Sequence, residues 1–462
     1  MSAPTSHRSA EEIGRTERGP RPLPELGEHR AAADLASADT TLPSGLRVIA
    51  VRRASVPVVE LRLRVPFADP ADSAVGSTHC AVAEVLANTL LTGTARRGRL
   101  DVDTELALVG GELDAVVDPE RLAISGNALV SGLDTVLDVL ADVLTGATHP
   151  EEEVARERAR LVERIRLARS QPNVIAREAL QEHLYGDHPF AKEMPEVAEV
   201  EAVTPEQVRE LHARAVLPRG SALVLVGDLD PEAAVAAVAQ ALSGWTGEGE
   251  AVRLRPLPEV VGGDVKFVHR PGAVQSQIRL AGRGLTRTDE RYPAFQLANL
   301  VFGGFFSSRL VENIREDKGY TYSARSHPEF TPGGATLLVD ADTASEVTAA
   351  ALMETRYELA KLGMVPPTDE EVDTARRYAV GSLLTATSSQ GGLASFLVNL
   401  AGMDLDLEWF AGHPVRLAAV TTEQVAQAAL DFFSPGSFTG VVVGDAELLA
   451  PKLRALGGVV LP

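Results

Sequence analysis

Arg315 and Tyr322 stand seven positions apart in the stretch Gly303-Gly304-Phe305-Phe306-Ser307-Ser308-Arg309-Leu310-Val311-Glu312-Asn313-Ile314-Arg315-Glu316-Asp317-Lys318-Gly319-Tyr320-Thr321-Tyr322. A guanidinium and a phenol held side by side are donors that can grip a peptide carbonyl or stabilise the oxyanion formed when it is attacked. The surrounding pattern provides a way to hold them. Ser307 or Ser308 can N-cap a short helix, Leu310, Val311 and Ile314 form its apolar stripe, and Gly319 suits a left-handed stop. Arg315 then projects from the last helical turn and Tyr322 from the start of a following strand. The plainer alternative is that Arg315 only offsets the helix dipole and Tyr322 only packs. Tyr320 shares a strand face with Tyr322, so spacing leaves open which tyrosine matters.

The elements that must position these residues belong to an architecture used twice. Val203-Thr204-Pro205-Glu206-Gln207-Val208 returns as Val420-Thr421-Thr422-Glu423-Gln424-Val425, and Val226-Gly227-Asp228 as Val443-Gly444-Asp445, both 217 positions later (207 and 424, 227 and 444). The alternating Val59–Val65 has its counterpart in Gln275–Leu280, and Glu153-Val154 in Glu371-Val372. A period this long is a duplicated domain, far above the 20–50 residues of solenoid repeats. Each half opens with two strands, Leu46–Arg53 and Val58–Val65, then Val265–His269 and Gln277–Ala281. Helices follow at Ala81–Leu91, Asp134–Thr145 and Glu151–Arg169, and in the second half at Tyr292–Val301, Ala344–Leu362 and Asp369–Ala386. Each half closes with an apolar strand before Gly-Asp, at Ala222–Val226 and Gly440–Val443. The expectation is an α+β fold of two homologous domains, each a mainly antiparallel sheet with helices packed on one face. Residues 41–246 and 263–462 form the domains, 247–262 the linker and 1–40 a disordered, Pro/Arg-rich arm.

The chain has 462 residues, with 44 basic and 64 acidic side chains and a net charge of −20. That balance argues against nucleic acid and anionic membranes as partners, since both need a cationic footprint. A single cysteine, Cys80, excludes an internal disulfide and a thiolate-rich metal site. Residues 1–40 lack a secretory apolar core, and no run approaches the roughly 18 apolar residues of a membrane span. The expected location is the cytoplasm.

Ser308, Leu310, Ile314, Arg315, Glu316, Gly319 and Tyr322 match S-x-L-x-x-x-[IL]-R-E-x-x-G-x-x-Y. The segment thereby resembles the C-terminal-domain signature of the M16 metallopeptidases (pitrilysin, insulinase, mitochondrial processing peptidase-like). The resemblance extends over about residues 41–460 and takes in His188-Pro189-Phe190, Val203-Thr204 and Val226-Gly227-Asp228. It implies paired two-domain subunits around a chamber in which unstructured peptides are cut. It also implies that Arg315 and Tyr322 hold substrate opposite a zinc ion supplied by another domain.

The zinc motif is where the chain departs from the resemblance. Active members carry H-x-x-E-H on a first-half helix shortly before Gly-Thr; the i, i+4 histidines share a face and the glutamate activates metal-bound water. Registered on Gly93-Thr94, the first histidine position is Glu84, the glutamate position Ala87 and the second histidine position Asn88. The distal glutamate ligand falls at Arg164, with Glu163 one residue off. Glu84 and Asn88 can hydrogen-bond across one turn but are too few to hold zinc. His79 lies about 140° round the helix from Glu84 and reads as a neighbour of the core. His183 and His188 flank the loop Tyr185-Gly186-Asp187 without the helical register of a zinc pair, and Cys80 reads as a small buried side chain. Gly303-Gly304 and Gly391-Gly392 lack the spacing and lysine of a phosphate loop. The first reads as the turn before the Arg315 helix and the second as a flexible connection near the chamber wall.

The function expected is that of a non-catalytic subunit of a heterodimeric peptidase. It holds no cofactor itself and contributes Arg315 and Tyr322 to an M16 partner that carries H-x-x-E-H and zinc. The interface should exceed the roughly 1,600 Å2 of a standard complex. Two other readings stand beside it: a structural or peptide-binding scaffold of the same fold without proteolytic role, and a self-sufficient hydrolase with a different site.

Overall fold

The computed structural model describes residues 35–71, 74–247, 249–331 and 333–462, and within them the duplicated sequence builds two six-stranded sheets. The first contains β1 (Ser37–Thr41), β2 (Arg47–Arg52), β3 (Val58–Pro66), β4 (Glu112–Val117), β5 (Arg121–Leu129) and β6 (Ala222–Gly227), in the order β1-β2-β6-β3-β5-β4. The second contains β7 (Val265–His269), β8 (Gln275–Arg283), β9 (Thr321–Thr331), β10 (Gly334–Ala344), β11 (Thr439–Gly444) and β12 (Val459–Val460), in the order β12-β7-β11-β8-β10-β9. Apart from the edge strands β1 and β12 the two orders are the same. β3 and β8 begin 217 positions apart (58 and 275), as do β6 and β11 (222 and 439).

Both sheets are mainly antiparallel, but the closing strand of each half runs parallel to its opening strand, with Val48 opposite Leu223 and Lys266 opposite Val441. The parallel edge strand β12 joins the second sheet through β7. Every residue of β6 and of β11 is buried. Their unbroken apolar runs follow from having cover on both faces, where a half-exposed strand would alternate.

One face of each sheet carries its own helices. On the first, Leu61, Leu63, Leu223 and Leu225 pack against Leu86, Leu140, Leu161, Leu211 and Val238, which come from five different helices. The other face is covered by the opposite half, an arrangement not visible in the sequence. Leu393, Leu397 and Leu400 of the helix Gln390–Ala401 lie on Ile49, Val51, Val224 and Val226 of the first sheet. Reciprocally, Ala176 and Leu180 of the helix Pro172–Tyr185 lie on Ala281, Leu338, Val441 and Val443 of the second. At about 1.5–3 kcal/mol per buried leucine, the exchange ties the halves together through apolar contact. It is pinned by polar bonds as well. The Gln390 amide reaches the carbonyls of Arg53 (2.6 Å), Val56 and Val58 (both 3.2 Å), and the Tyr185 hydroxyl meets Thr336 Oγ1 at 2.9 Å.

The repeated Thr-x-x-Gln sequences form the same capping box twice. Thr204 Oγ1 accepts from Gln207 N at 3.3 Å while Gln207 Oε1 accepts from Thr204 N at 2.9 Å, and Thr421 and Gln424 reproduce both distances. Three expectations change. Of the 1–40 arm, residues 1–34 lie outside the described residues, and strand β1 already begins at Ser37. The linker residues 249–262 carry no helix or strand, yet Leu254 is buried with Ala68, Tyr185 and Phe190. Gly391-Gly392 is not a flexible connection but the first turn of the exchanged helix, capped by Ser389; a side chain at 392 would sit 2.1 Å from the Ala386 carbonyl. Among the described residues no helix is long and apolar enough to cross a membrane.

Candidate functional site

Arg315 lies on an irregular helix. A single α-turn, Arg309–Val311, passes directly into a π-helical stretch, Glu312–Asp317, with Leu310 and Ile314 fully buried beneath it. Single π-turns inside helices recur at functional sites because the wider turn re-aims side chains. Ser308 occupies the N-cap, and its carbonyl accepts from Glu312 N at 2.9 Å, but its buried hydroxyl has no partner among the described residues. Capping is therefore done by backbone rather than by the serine side chain expected. Arg309 locks the turn in place through a bidentate pair with Glu371 (2.6 and 2.8 Å) and a bond to the Val365 carbonyl at 2.7 Å. Burial works to raise the Glu371 carboxyl, but the Arg309 bonds and the Thr368 amide outweigh it and hold the group at about 2.

The helix ends as its sequence predicts. Gly319 adopts φ +62°, and its N–H donates to the Arg315 carbonyl at 3.1 Å. The chain then settles which tyrosine is presented. Tyr320 precedes the strand and packs into the second core, with its N–H on the Ile314 carbonyl at 2.8 Å. Tyr320 and Tyr322 thus do not share a strand face. β9 starts at Thr321, and the ladder slips there: Ser323 opposes Asp342 and Thr321 opposes Thr343, so Tyr322 is the extra residue of a β-bulge. Thr321 pins the bulge, its Oγ1 lying 2.6 Å from the Asp342 carbonyl and 2.7 Å from the Ser323 carbonyl while accepting from Ser323 N at 3.0 Å.

The bulge leaves Tyr322 90% exposed with Arg315 beside it. The Arg315 guanidinium carbon is 5.5 Å from the centre of the Tyr322 ring and 4.7 Å from that of Phe306. Aromatic contact of this kind orients a guanidinium without consuming its N–H donors. The Arg315 ion partner is its neighbour Glu316, at 3.3 Å. Phe306 was not singled out from the sequence, although two adjacent phenylalanines in a chain only 5% aromatic, next to Gly-Gly and Ser-Ser, are the signal that would have found it.

The first-half cluster is built differently. Glu84 and Asn88 lie one turn apart on the helix His79–Thr89, where the Asn88 amide donates to the Glu84 carbonyl at 2.6 Å and lies 3.5 Å from its carboxylate. Ala87 is buried against the core. Arg164 reaches over from the helix Glu151–Ala168 to donate to Asn88 Oδ1 at 3.3 Å. Burial raises the Glu84 carboxyl and the Arg164 charge opposes that shift. Glu163 faces elsewhere, paired with Arg166 at 2.6 Å. A zinc centre needs three or four nitrogen, sulfur or carboxylate donors around a vacancy. Here one carboxylate and one amide converge on a guanidinium, so the residues do not fit the metal. Among the described residues no three His, Cys, Asp or Glu side chains gather as a metal-binding group elsewhere.

The same helix is anchored on its buried side. Thr89 Oγ1 meets His149 Nδ1 (2.8 Å), His149 Nε2 meets His212 Nδ1 (2.8 Å), and His212 Nε2 meets the Leu144 carbonyl (2.9 Å). Because that carbonyl can only accept, His212 Nε2 carries a proton, and with His212 neutral its Nδ1 accepts from His149 Nε2. Burial, with His212 and Arg209 nearby, lowers His149 to about 3. His79 is spent on the Phe67 carbonyl at 2.9 Å, His183 on Thr439 at 2.8 Å and His188 on Phe190 N at 3.0 Å, with Nε2 near the Arg255 carbonyl. Burial pushes the Cys80 thiol up to about 12, far from a thiolate nucleophile. Among the described residues no hydrogen bond or ion pair joins the Glu84 cluster to Arg315 or Tyr322.

With this geometry in hand, residues 81–196 match the family described as insulinase (peptidase family M16), and residues 202–378 the family described as peptidase M16 inactive domain. An uncharacterized zinc protease of Streptomyces coelicolor is 28% identical over 407 residues, covering 85% of this chain and 86% of the relative. The fold superposes on a peptidase M16 inactive domain from Pseudomonas fluorescens with a TM-score of 0.79 and 23% identity, covering 88% of this chain and 98% of that one. It also superposes on the first half of the periplasmic protease PqqL of Escherichia coli, with a TM-score of 0.72 and 18% identity over 91% and 96% of the two chains.

Proposed function

The chain belongs to the insulinase (peptidase M16) family, and from that footing we propose that it is the non-catalytic subunit of a two-chain metallopeptidase. Its partner is a second M16 subunit with an intact H-x-x-E-H, which holds the zinc and the attacking water. This chain holds no zinc. Its part is to bind an unstructured peptide across the chamber. Arg315 and the Tyr322 hydroxyl donate to the carbonyl of the bond to be cut, more strongly as negative charge develops on that oxygen.

The observation that carries the reading is the state of two guanidinium groups. Arg164 is engaged by Asn88 and Glu84 where the family's metal helix lies, while Arg315 is held face-on by Phe306 and by a Tyr322 that a bulge exposes. Nothing in folding requires a bulged, fully exposed tyrosine stacked on an arginine; presentation of donors to a ligand does.

The test is co-expression with an H-x-x-E-H subunit. Chromatography with mass determination should give a heterodimer, and only that species should cleave an unstructured peptide. Persistent monomers, or cleavage by this chain alone at the rate of the pair, would overturn the proposal. Unaltered cleavage by a pair carrying Arg315→Ala would instead support a scaffold of the same fold.

A further inference from the structure

Another arginine, Arg287, is held by aromatic rings and lines a cavity of about 330 Å3 between the two halves. The Arg287 guanidinium carbon lies 4.4 Å from the centre of the Phe330 ring, 5.6 Å from Phe396, 5.7 Å from Trp409 and 5.9 Å from Tyr292. Trp409 Nε1 also holds the Arg287 backbone carbonyl at 3.3 Å. Its Nε is buried without a partner, and among the described residues the side chain makes neither a hydrogen bond nor an ion pair. Caging a cation in aromatic rings, with no carboxylate in ion-pair contact with it, is costly unless something anionic completes the arrangement.

The other charges lining the cavity are paired among themselves, three arginines with four carboxylates. Arg64 pairs with Glu120, Arg121 with Asp118 at 3.0 Å, and Arg177 with Glu193 at 2.6 Å and Glu329 at 3.2 Å. A polar group of a second kind also lines it. Gln181 is only 4% exposed, and its Oε1 has no partner among the described residues. A buried amide with an unmet bond marks a site built for a ligand or water.

We propose that this cavity binds a carboxylate carried by a peptide, with Arg287 as the receptor for the anion and Gln181 Oε1 as the acceptor for a backbone N–H of the same peptide. The planar fork of a guanidinium matches the two oxygens of a carboxylate. The four flanking acids outnumber the three arginines that pair with them and so oppose a multiply charged phosphate, which leaves a single negative charge as the fit. The volume is at the lower end of small-ligand sites and takes two or three residues of a peptide. Phe190, Phe330 and Met403 supply apolar wall for its side chains. The site needs no partner subunit and does not rest on the division of labour proposed above.

Calorimetric titration of the full chain with N-acetyl-trialanine, with its C-terminal amide and with N-acetyl-Ala-Glu-Ala amide tests this. The free carboxylate should bind at least tenfold more tightly than the trialanine amide, and Arg287→Gln should abolish the difference. If the glutamate-bearing amide binds as tightly as N-acetyl-trialanine, the carboxylate is recognised from an acidic side chain; if it binds as weakly as the plain amide, from a peptide C-terminus. Equal binding of N-acetyl-trialanine and its amide, no saturable binding by either, or an undiminished preference in Arg287→Gln would overturn the proposal. Should Arg287→Gln fail to fold, Gln181→Leu leaves the aromatic cage intact. It should weaken the free carboxylate severalfold, and unchanged affinity there is equally contrary.

Discussion

The helix pair His79–Thr89 and Glu151–Ala168 and the segment from Arg309 to Tyr322 each bring a guanidinium to a surface, and they treat it in opposite ways. Beside the helix, Arg164 gives a hydrogen bond to Asn88 and its charge to a half-buried Glu84. On the segment, Arg315 has rings on its faces and only the adjacent Glu316 as ion partner. A cation satisfied by side chains of its own chain is structural. One oriented by aromatic faces leaves its remaining donors open, as the proposed role in binding substrate requires. The contrast also separates the ways the two regions are anchored, by a neutral histidine chain in the first and by a carboxylate–guanidinium pair in the second.

The largest expected effect strikes the presented arginine. In the reconstituted pair, Arg315→Ala should lower kcat/KM by about 10²–10³, the scale of losing one oxyanion donor. Adding Tyr322→Phe should cost less than the product of the single effects if, as proposed, the two act on one oxygen. Strictly multiplicative losses would show that the residues work apart.

Acid should separate the two anchors. His149 is neutral in the folded chain down to about 3 but titrates near 6.5 when unfolded, so its contribution is complete above 6.5 and is lost as pH falls from 6.5 toward 3. His413, buried with Arg416 and Arg287 nearby, is also lowered to about 3 and follows the same window. Glu371 is held at about 2 against 4.5, so the Arg309 contact weakens only below about 4.5. Hydrogen exchange should therefore show the His79–Thr89 helix loosening at pH 5–6 while the Arg309 turn stays protected. The whole loss is on the order of a few kcal/mol by linkage. His149→Asn, which tolerates the φ of +44° at that position, should flatten the first phase. Equal protection of both regions down to pH 4.5 would contradict the assignment.

Smaller effects refine the picture. Phe306→Ala removes one face of the Arg315 stack and should raise KM several-fold with kcat/KM partly rescued in Phe306→Tyr, as read from steady-state cleavage by the pair. Least of all, Glu84→Gln or Arg164→Ala should leave cleavage by the pair within about twofold, since neither touches the reacting bond. A tenfold loss from either would give the first-half cluster a chemical role after all.

What could be read from the sequence was what depends on near neighbours. The capping boxes at Thr204 and Thr421 need only residues three apart, and they disclosed the duplication with its 217-residue offset. The stop at Gly319 followed from its own backbone freedom. Contacts made at long range stayed hidden. Helices Pro172–Tyr185 and Gln390–Ala401 carry ordinary apolar stripes, and nothing in them says that each covers the other half's sheet. Tyr320 and Tyr322 were inseparable by spacing because the bulge between them is fixed by pairing with Asp342 and Thr343. The ring cage of Arg287 gathers residues from 292 to 409, a juxtaposition that only folding creates.

Titration of this chain into a fixed amount of the proposed zinc-bearing M16 partner, with peptide cleavage as the readout, separates assembly from chemistry most directly. The wild-type chain should bring the rate to a plateau at one equivalent. Arg315→Ala should reach its plateau at the same equivalence but at about one hundredth of that rate or less. An Arg315→Ala plateau equal to wild type, or full cleavage by the partner before any of this chain is added, would contradict the account.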